Sequence, residues 1–301
     1  MAVVHEVITN GHTMILELLK TISFSLIVIG LCGCSLSRQG LATLRSTSHF
    51  LVLDSDRRIL YEPGAEDLSK EVAEYLSGSI VKVEKEQYRP FAKPVEVYIC
   101  ATKESFSSFT GMPEVIKGAT TIKHVFLSAE RLRELPINIR QAVLTHELSH
   151  FHLQQYLGAY NYGANLPSWF QEGLAEYVSG GAAVEEISEA EAVKAILEGK
   201  HFTPDTSGSF FFPKRWSAYG LKPHMFYRQS FMYVLYLHHL DESKFRAFIL
   251  AIENNRRFED SFNSIFCMTM DSAWQQFVAQ IEDYHGPITT QNQYRECTTS
   301  Q

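Results

Sequence analysis

Two histidines four residues apart, His146 and His150 in "LTHELSHFHLQQ", enclose Glu147 and form the stretch of this chain best suited to chemistry. On a helix, positions i and i+4 share a face with Cβ atoms about 5–6 Å apart. Both imidazoles can then reach one Zn²⁺ at about 2.0–2.1 Å. Glu147 points about 100° round the helix from His146, toward the open side of such a site, where a carboxylate can take a proton from water. The neighbours Val143, Leu144, Leu148 and Phe151 are apolar, as a helix in a dry cavity requires, and Gln154 and Gln155 mark its wetter end. With 12 histidines in the chain, the string alone is suggestive only. His152, His238 and His239 read as structural or surface residues.

The next helical stretch supplies what the first lacks. "LPSWFQEGLAEYVSG", residues 166–180, opens on the start signal Pro167-Ser168 and carries Glu172 far enough past His150 for the chain to turn and come back. Two histidines and a carboxylate leave a fourth position to water, the arrangement of a catalytic zinc site. Gly173 is expected to let these two helices approach closely. Glu176, one turn after Glu172, shares its face; it is either the acceptor for the second ring N–H of a ligand histidine or a solvated helix glutamate.

The ordered pair His146-Glu147-Leu148-Ser149-His150 and Trp169-Phe170-Gln171-Glu172-Gly173-Leu174-Ala175-Glu176-Tyr177 resembles the gluzincin metallopeptidases, in particular the peptidase MA-like group of exported bacterial proteins. The likeness extends upstream to "KPVEVYICATKESFSSFTG", similar to that group's strand and short helix. Downstream it takes in "YRQSFMYVLYL" and "SAWQQFVAQIEDY", so it covers residues 93 to 285. The resemblance implies zinc held by His146, His150 and Glu172, Glu147 as general base, and a peptide bond as target. Gluzincins commonly stabilise the oxyanion with a Tyr or His from the helical half; Tyr227 heads "YRQSF" where similar proteins have a tyrosine, with Tyr219 and His224 as competitors and a packing role as the plainer reading of Tyr227. The G-x-M-E-N exopeptidase motif of the alanyl-aminopeptidase branch is missing from "GATTIKHVFLS", so aminopeptidase activity is not implied. His152 falls where the family helix usually has an apolar residue.

The elements that must position these groups divide the chain in two. "FLVLDS", "PVEVYICA" and "KHVFLSA" read as strands, and "EDLSKEVAEYLSGSIVKVEKEQ" has apolar residues at helical spacing. Too few helices connect them for a doubly wound sheet. From Asn138 onward, helices are expected over 138–157, 167–179, 187–199, 223–240, 242–253 and 271–284, with a long aromatic-rich break at 201–222 that is either functional or mobile. The expected fold is α+β: a small, mostly antiparallel sheet half followed by a helical half, with a zincin-like site between them. An extended substrate is expected to add to the sheet edge, with "KHVFLS" as the edge strand.

Composition narrows the partners. The chain has 301 residues, 45% of them hydrophobic, and a formal charge of -7, with no basic cluster of the kind nucleic acid requires. Near the N-terminus, Lys20 precedes an apolar run shorter than the roughly twenty residues that span a bilayer, followed by Leu31-Cys32-Gly33-Cys34. This reads as an export signal and resembles the bacterial lipobox, with Cys34, preceded by the small Gly33, as the lipid-bearing residue; Met14 fits a start better than Met1. The expected organisation is a signal at 1–33, a Ser/Thr-rich tether at 34–48, a metallopeptidase domain at 49–285 and a tail at 286–301. Such a protein is anchored to the lipid membrane, faces the periplasm or exterior, and acts on peptide or protein substrates. Cys100, Cys267 and Cys297 have no C-x-x-C spacing and imply no disulfide framework. A reading of another class is a tethered scaffold or binding lipoprotein whose metal site is structural or vestigial, since fold does not carry activity.

Overall fold

The computed structural model describes residues 42, 44–181, 186–206 and 214–285. The expected signal, Cys34, most of the tether and the 286–301 tail lie outside them. No helix of the described residues is long and apolar enough to cross a membrane.

The first half opens with the short strands β1 (Leu51–Val52) and β2 (Ile59–Tyr61), followed by helix α1 (Glu66–Glu86) and strand β3 (Val97–Cys100). Helix α2 (Lys103–Thr110) leads to β4 (Gly118–Thr120), β5 (Val125–Ser128) and the single turn α3 (Ala129–Leu132). The sheet order is β1-β2-β3-β5-β4. Its outer pairings are antiparallel and its inner pairings, β2 with β3 and β3 with β5, are parallel. The architecture is α+β as expected, but the sheet is mixed, not mostly antiparallel. Two crossovers are the cause: α1 lies between β2 and β3, α2 and β4 lie between β3 and β5, and connections of that length return the chain in the same direction. "KHVFLS" is also not an edge, because β5 lies between β3 and β4. The edge on that side is β4.

Alternate residues of these strands feed two different cores, as the period of two requires. Ile59, Tyr61, Val97, Ile99, Val125 and Leu127 join a large cluster that runs through the helical half to Ile281. Tyr98, Cys100, Ala119 and Phe126 point the other way and pack with Phe50, Phe106 and Phe109.

The helical half consists of α4 (Ile137–Asn165), α5 (Ser168–Ser179), α6 (Glu189–Leu197), α7 (Pro223–Leu240), α8 (Glu242–Glu253), α9 (Phe258–Phe266) and α10 (Met270–His285), with one 3-10 turn at Trp216–Tyr219. The stretch expected to run from 138 to 157 ends at a real break: Gly158 takes φ 71, ψ 155, and helix resumes beyond it. Helix α9 was not expected, although Phe258, Phe262 and Phe266 recur at helical spacing and are buried.

Helix α4 is clamped on its back by α1. Gln87 Nε2 donates to Ser149 Oγ at 3.0 Å, Thr145 Oγ1 and Ser79 Oγ lie 3.1 Å apart, and Arg140 pairs with Glu71 at 2.6 Å. Leu144, Leu148 and Phe151 share one face of α4 and Leu153 points the opposite way, yet all four are buried. A helix enclosed on most sides needs no single apolar stripe.

Candidate metal centre

His146 and His150 project from the middle of α4, their Nε2 atoms 3.0 Å apart. Glu172, in the first turns of α5, brings Oε2 to 3.5 Å from His146 Nε2 and 3.6 Å from His150 Nε2. Tetrahedral ligands at zinc bond lengths stand about 3.3 Å from one another, so the three atoms are spaced as one small divalent ion would hold them. Among the described residues this is the one group of three or more His, Cys, Asp or Glu side chains that could hold a metal. His146 and His150 are 13% and 11% exposed and Glu172 23%, so solvent or a ligand can reach them.

The chain returns from α4 to α5 through a tight, bonded turn. Gln171 Nε2 donates to the carbonyls of Leu166 and Tyr162, and Trp169 Nε1 donates to Asp205 O at 3.1 Å. Ser168 Oγ donates to Lys214 O, and Lys214 pairs with Asp205. Both described flanks of the 201–222 break are thereby tied to the start of α5; its middle, 207–213, lies outside the described residues. Gly173 differs from expectation. A Cβ there would meet Ser230 O at 2.5 Å and Val234 Cγ2 at 2.8 Å, so the close approach it permits is between α5 and α7, not between α5 and α4.

Each histidine has a partner at its second ring nitrogen. His146 Nδ1 lies 3.0 Å from Glu176 Oε1, a contact of opposite charge in which the N–H is not aligned as a regular hydrogen bond. Glu176 is fully buried. Since Glu172 and Glu176 share one face of α5, that helix presents one carboxylate to the ion position and the next to the ring behind it. His150 Nδ1 bonds with the Tyr162 hydroxyl at 2.8 Å. Nothing in the sequence pointed to Tyr162, which reaches back only because α4 breaks at Gly158.

Glu147 lies beside this cluster with its side chain toward β4. Thr120 Oγ1 is 3.0 Å from Glu147 Oε2 and 2.7 Å from Glu147 O. Glu147 Oε1 has no hydrogen-bond partner among the described residues.

Electrostatics follow from this packing. Burial pushes the His146 imidazole down, but the carboxylates of Glu176, Glu172 and Glu147 outweigh it and leave its pKa well above the ordinary value. Burial raises Glu172, yet the imidazoles of His150 and His146 hold its carboxyl well below the usual carboxylate range. A centre this rich in negative charge attracts a cation. Tyr227, on α7, has its phenol pushed far up, first by the charge of Glu172 and then by burial, so it stays protonated. Its competitors belong to other surroundings. Tyr219 is raised by burial and by Asp205, and stacks on Phe226; His224 pairs with Glu186 at 3.1 Å. His152 is buried and bonds to Arg89 O at 2.9 Å, the structural role expected of it.

No protein-family model matches the chain, and no curated protein matches it.

Proposed function

We propose that the protein is a zinc-dependent peptidase of zincin-like fold, an endopeptidase of the cell envelope. The observation that carries this reading is the convergence of His146 Nε2, His150 Nε2 and Glu172 Oε2 beside a glutamate, Glu147, whose Oε1 has no partner of its own among the described residues. A purely structural site has no need of a base between its ligands.

Bound by these three side chains, zinc would supply Lewis acidity, polarising the scissile carbonyl and acidifying the attacking water. Glu147 takes the proton from that water as it attacks and passes it to the leaving amine. Tyr227, protonated in the field of Glu172, donates its hydroxyl hydrogen to the oxyanion. Glu176 and Tyr162 hold the two imidazoles at their second nitrogens. An extended peptide pairs with the free edge of β4, which runs past Glu147. The sequence Leu31-Cys32-Gly33-Cys34 adds the location: export, and attachment to the membrane through an acylated Cys34.

The test is to incubate zinc-replete protein and its Glu147→Gln variant with unfolded protein substrates. Cleavage by the wild type, reduced about 100-fold or more in the variant, supports the peptidase. Equal and negligible cleavage by both would leave a tethered binding protein.

A further inference from the structure

Strand β4 has the composition Gly-Ala-Thr, with no large side chain, yet it packs directly on the metal-bearing helix. Gly118 and Thr120 lie on one face of the strand and Ala119 on the other, where it joins the Phe50 cluster. Gly118 makes the approach possible. A Cβ there would stand 2.9 Å from Glu147 Cγ and 3.1 Å from Val143 Cγ1. The strand therefore comes close enough for the next side chain on that face, Thr120, to touch both the backbone and the carboxylate of Glu147.

The main chain of the same residues faces outward. Thr121 N donates to His124 O and Ser128 N to Lys117 O. Alternation along an antiparallel pair then directs the N–H and C=O of Ala119 at β5, and those of Gly118 and Thr120 at the open edge. Thr120 thus offers its backbone to an incoming strand and its hydroxyl to Glu147.

We propose that Thr120 is a positioning residue for the reaction: its hydroxyl fixes Glu147 Oε2 so that Oε1 is the oxygen presented to water, and its main chain aligns the substrate strand with that oxygen. The hydroxyl has one hydrogen, shared between the Glu147 carbonyl at 2.7 Å and the carboxylate at 3.0 Å, so it holds the side chain against the backbone of its own residue. The inference rests on the peptidase reading for its kinetic consequence, but the geometry it asserts is separate.

The test compares Thr120→Val, which keeps the shape and removes the hydroxyl, with Thr120→Ser, which restores it. With an unfolded protein substrate, Thr120→Val is expected to keep its zinc and melting temperature while kcat falls about tenfold or more and KM changes less than twofold. Thr120→Ser should recover most of the loss. Crystals of zinc-loaded wild type and Thr120→Val give a readout that needs no turnover: the Glu147 carboxylate should leave its wild-type rotamer in the valine variant. An unchanged rotamer, an unchanged kcat, or a loss that serine does not recover overturns the proposal. Absence of cleavage by the wild type sinks the peptidase reading, and the rotamer then decides the role of Thr120 alone.

Discussion

The hydroxyl of Tyr162 lies 2.8 Å from His150 Nδ1 although the two residues are twelve apart in what is nominally one helix. Twelve residues of continuous helix rise about 18 Å, so the contact exists because Gly158 turns the chain. With Nε2 given to an ion, as the peptidase reading has it, Nδ1 would carry the hydrogen and donate it to the phenol oxygen, fixing the tautomer. Tyr162→Phe is expected to fold normally and to bind zinc about 10- to 100-fold more weakly, measured by competition with a chelator. Gly158→Ala should lose the same contact. A Cβ at φ 71, ψ 155 is strained by about 1–3 kcal/mol, so its melting temperature should fall as well.

Gly173 follows Glu172 directly and lies on the face of α5 that packs on α7. A methyl group at this position falls 2.5 Å from a backbone carbonyl, that of Ser230, which cannot rotate away. Gly173→Ala must push α5 off α7 and take Glu172 with it. Destabilisation of about 1–3 kcal/mol is expected, together with faster loss of zinc during dialysis. Thermal unfolding and metal analysis of the same sample check both.

Under the peptidase reading, Tyr227 is the donor at the site and Tyr219 a packing tyrosine. Tyr227→Phe should lower kcat about 100-fold or more with little change in KM, because the bond it removes forms only as charge develops on the oxyanion. Tyr219→Phe should leave kcat near the wild-type value, since its hydroxyl faces Asp205. Steady-state kinetics on one peptide decides between them.

Stability should depend on pH through Glu253, a buried carboxyl on α8. Burial outweighs the nearby Arg89 and raises its pKa from 4.5 to about 8. The unfolded chain releases this proton near 4.5 while the folded protein keeps it. The contribution is therefore fully present below about pH 4.5 and is lost as pH rises through about 8. His152, 3.4 Å away, works at the other end. Burial pushes it down to about 4 from 6.5, so its share is lost as pH falls through that window. Glu253→Gln removes only the first dependence. Its melting temperature should gain on that of the wild type by several degrees between pH 5 and pH 9; a constant difference across that range would show that Glu253 does not hold a proton.

The part of the site legible in the sequence is the part built by local geometry. Helical spacing puts His146 with His150 and Glu172 with Glu176, and Pro167-Ser168 marks the turn between the two helices. What escaped depends on tertiary approach. Tyr162 needs the positive φ of Gly158, which looks like any helix glycine in the sequence. Thr120 needs a strand whose residues, Gly-Ala-Thr, carry no apolar alternation, and β2 is three residues long and easily passed over. Without β2 one parallel pairing is invisible, and without β4 the true edge of the sheet is. Gly173 marks a close approach in the sequence without saying which neighbour it admits: the expected α4 is in fact α7.

One ion is expected to sit between His146, His150 and Glu172. Metal analysis of purified, zinc-equilibrated protein after exhaustive dialysis tests it most directly, with the His150→Ala variant alongside. One equivalent of zinc is expected in the wild type and none in the variant. Zinc retained at the same level by His150→Ala, or none retained by either protein, would contradict it.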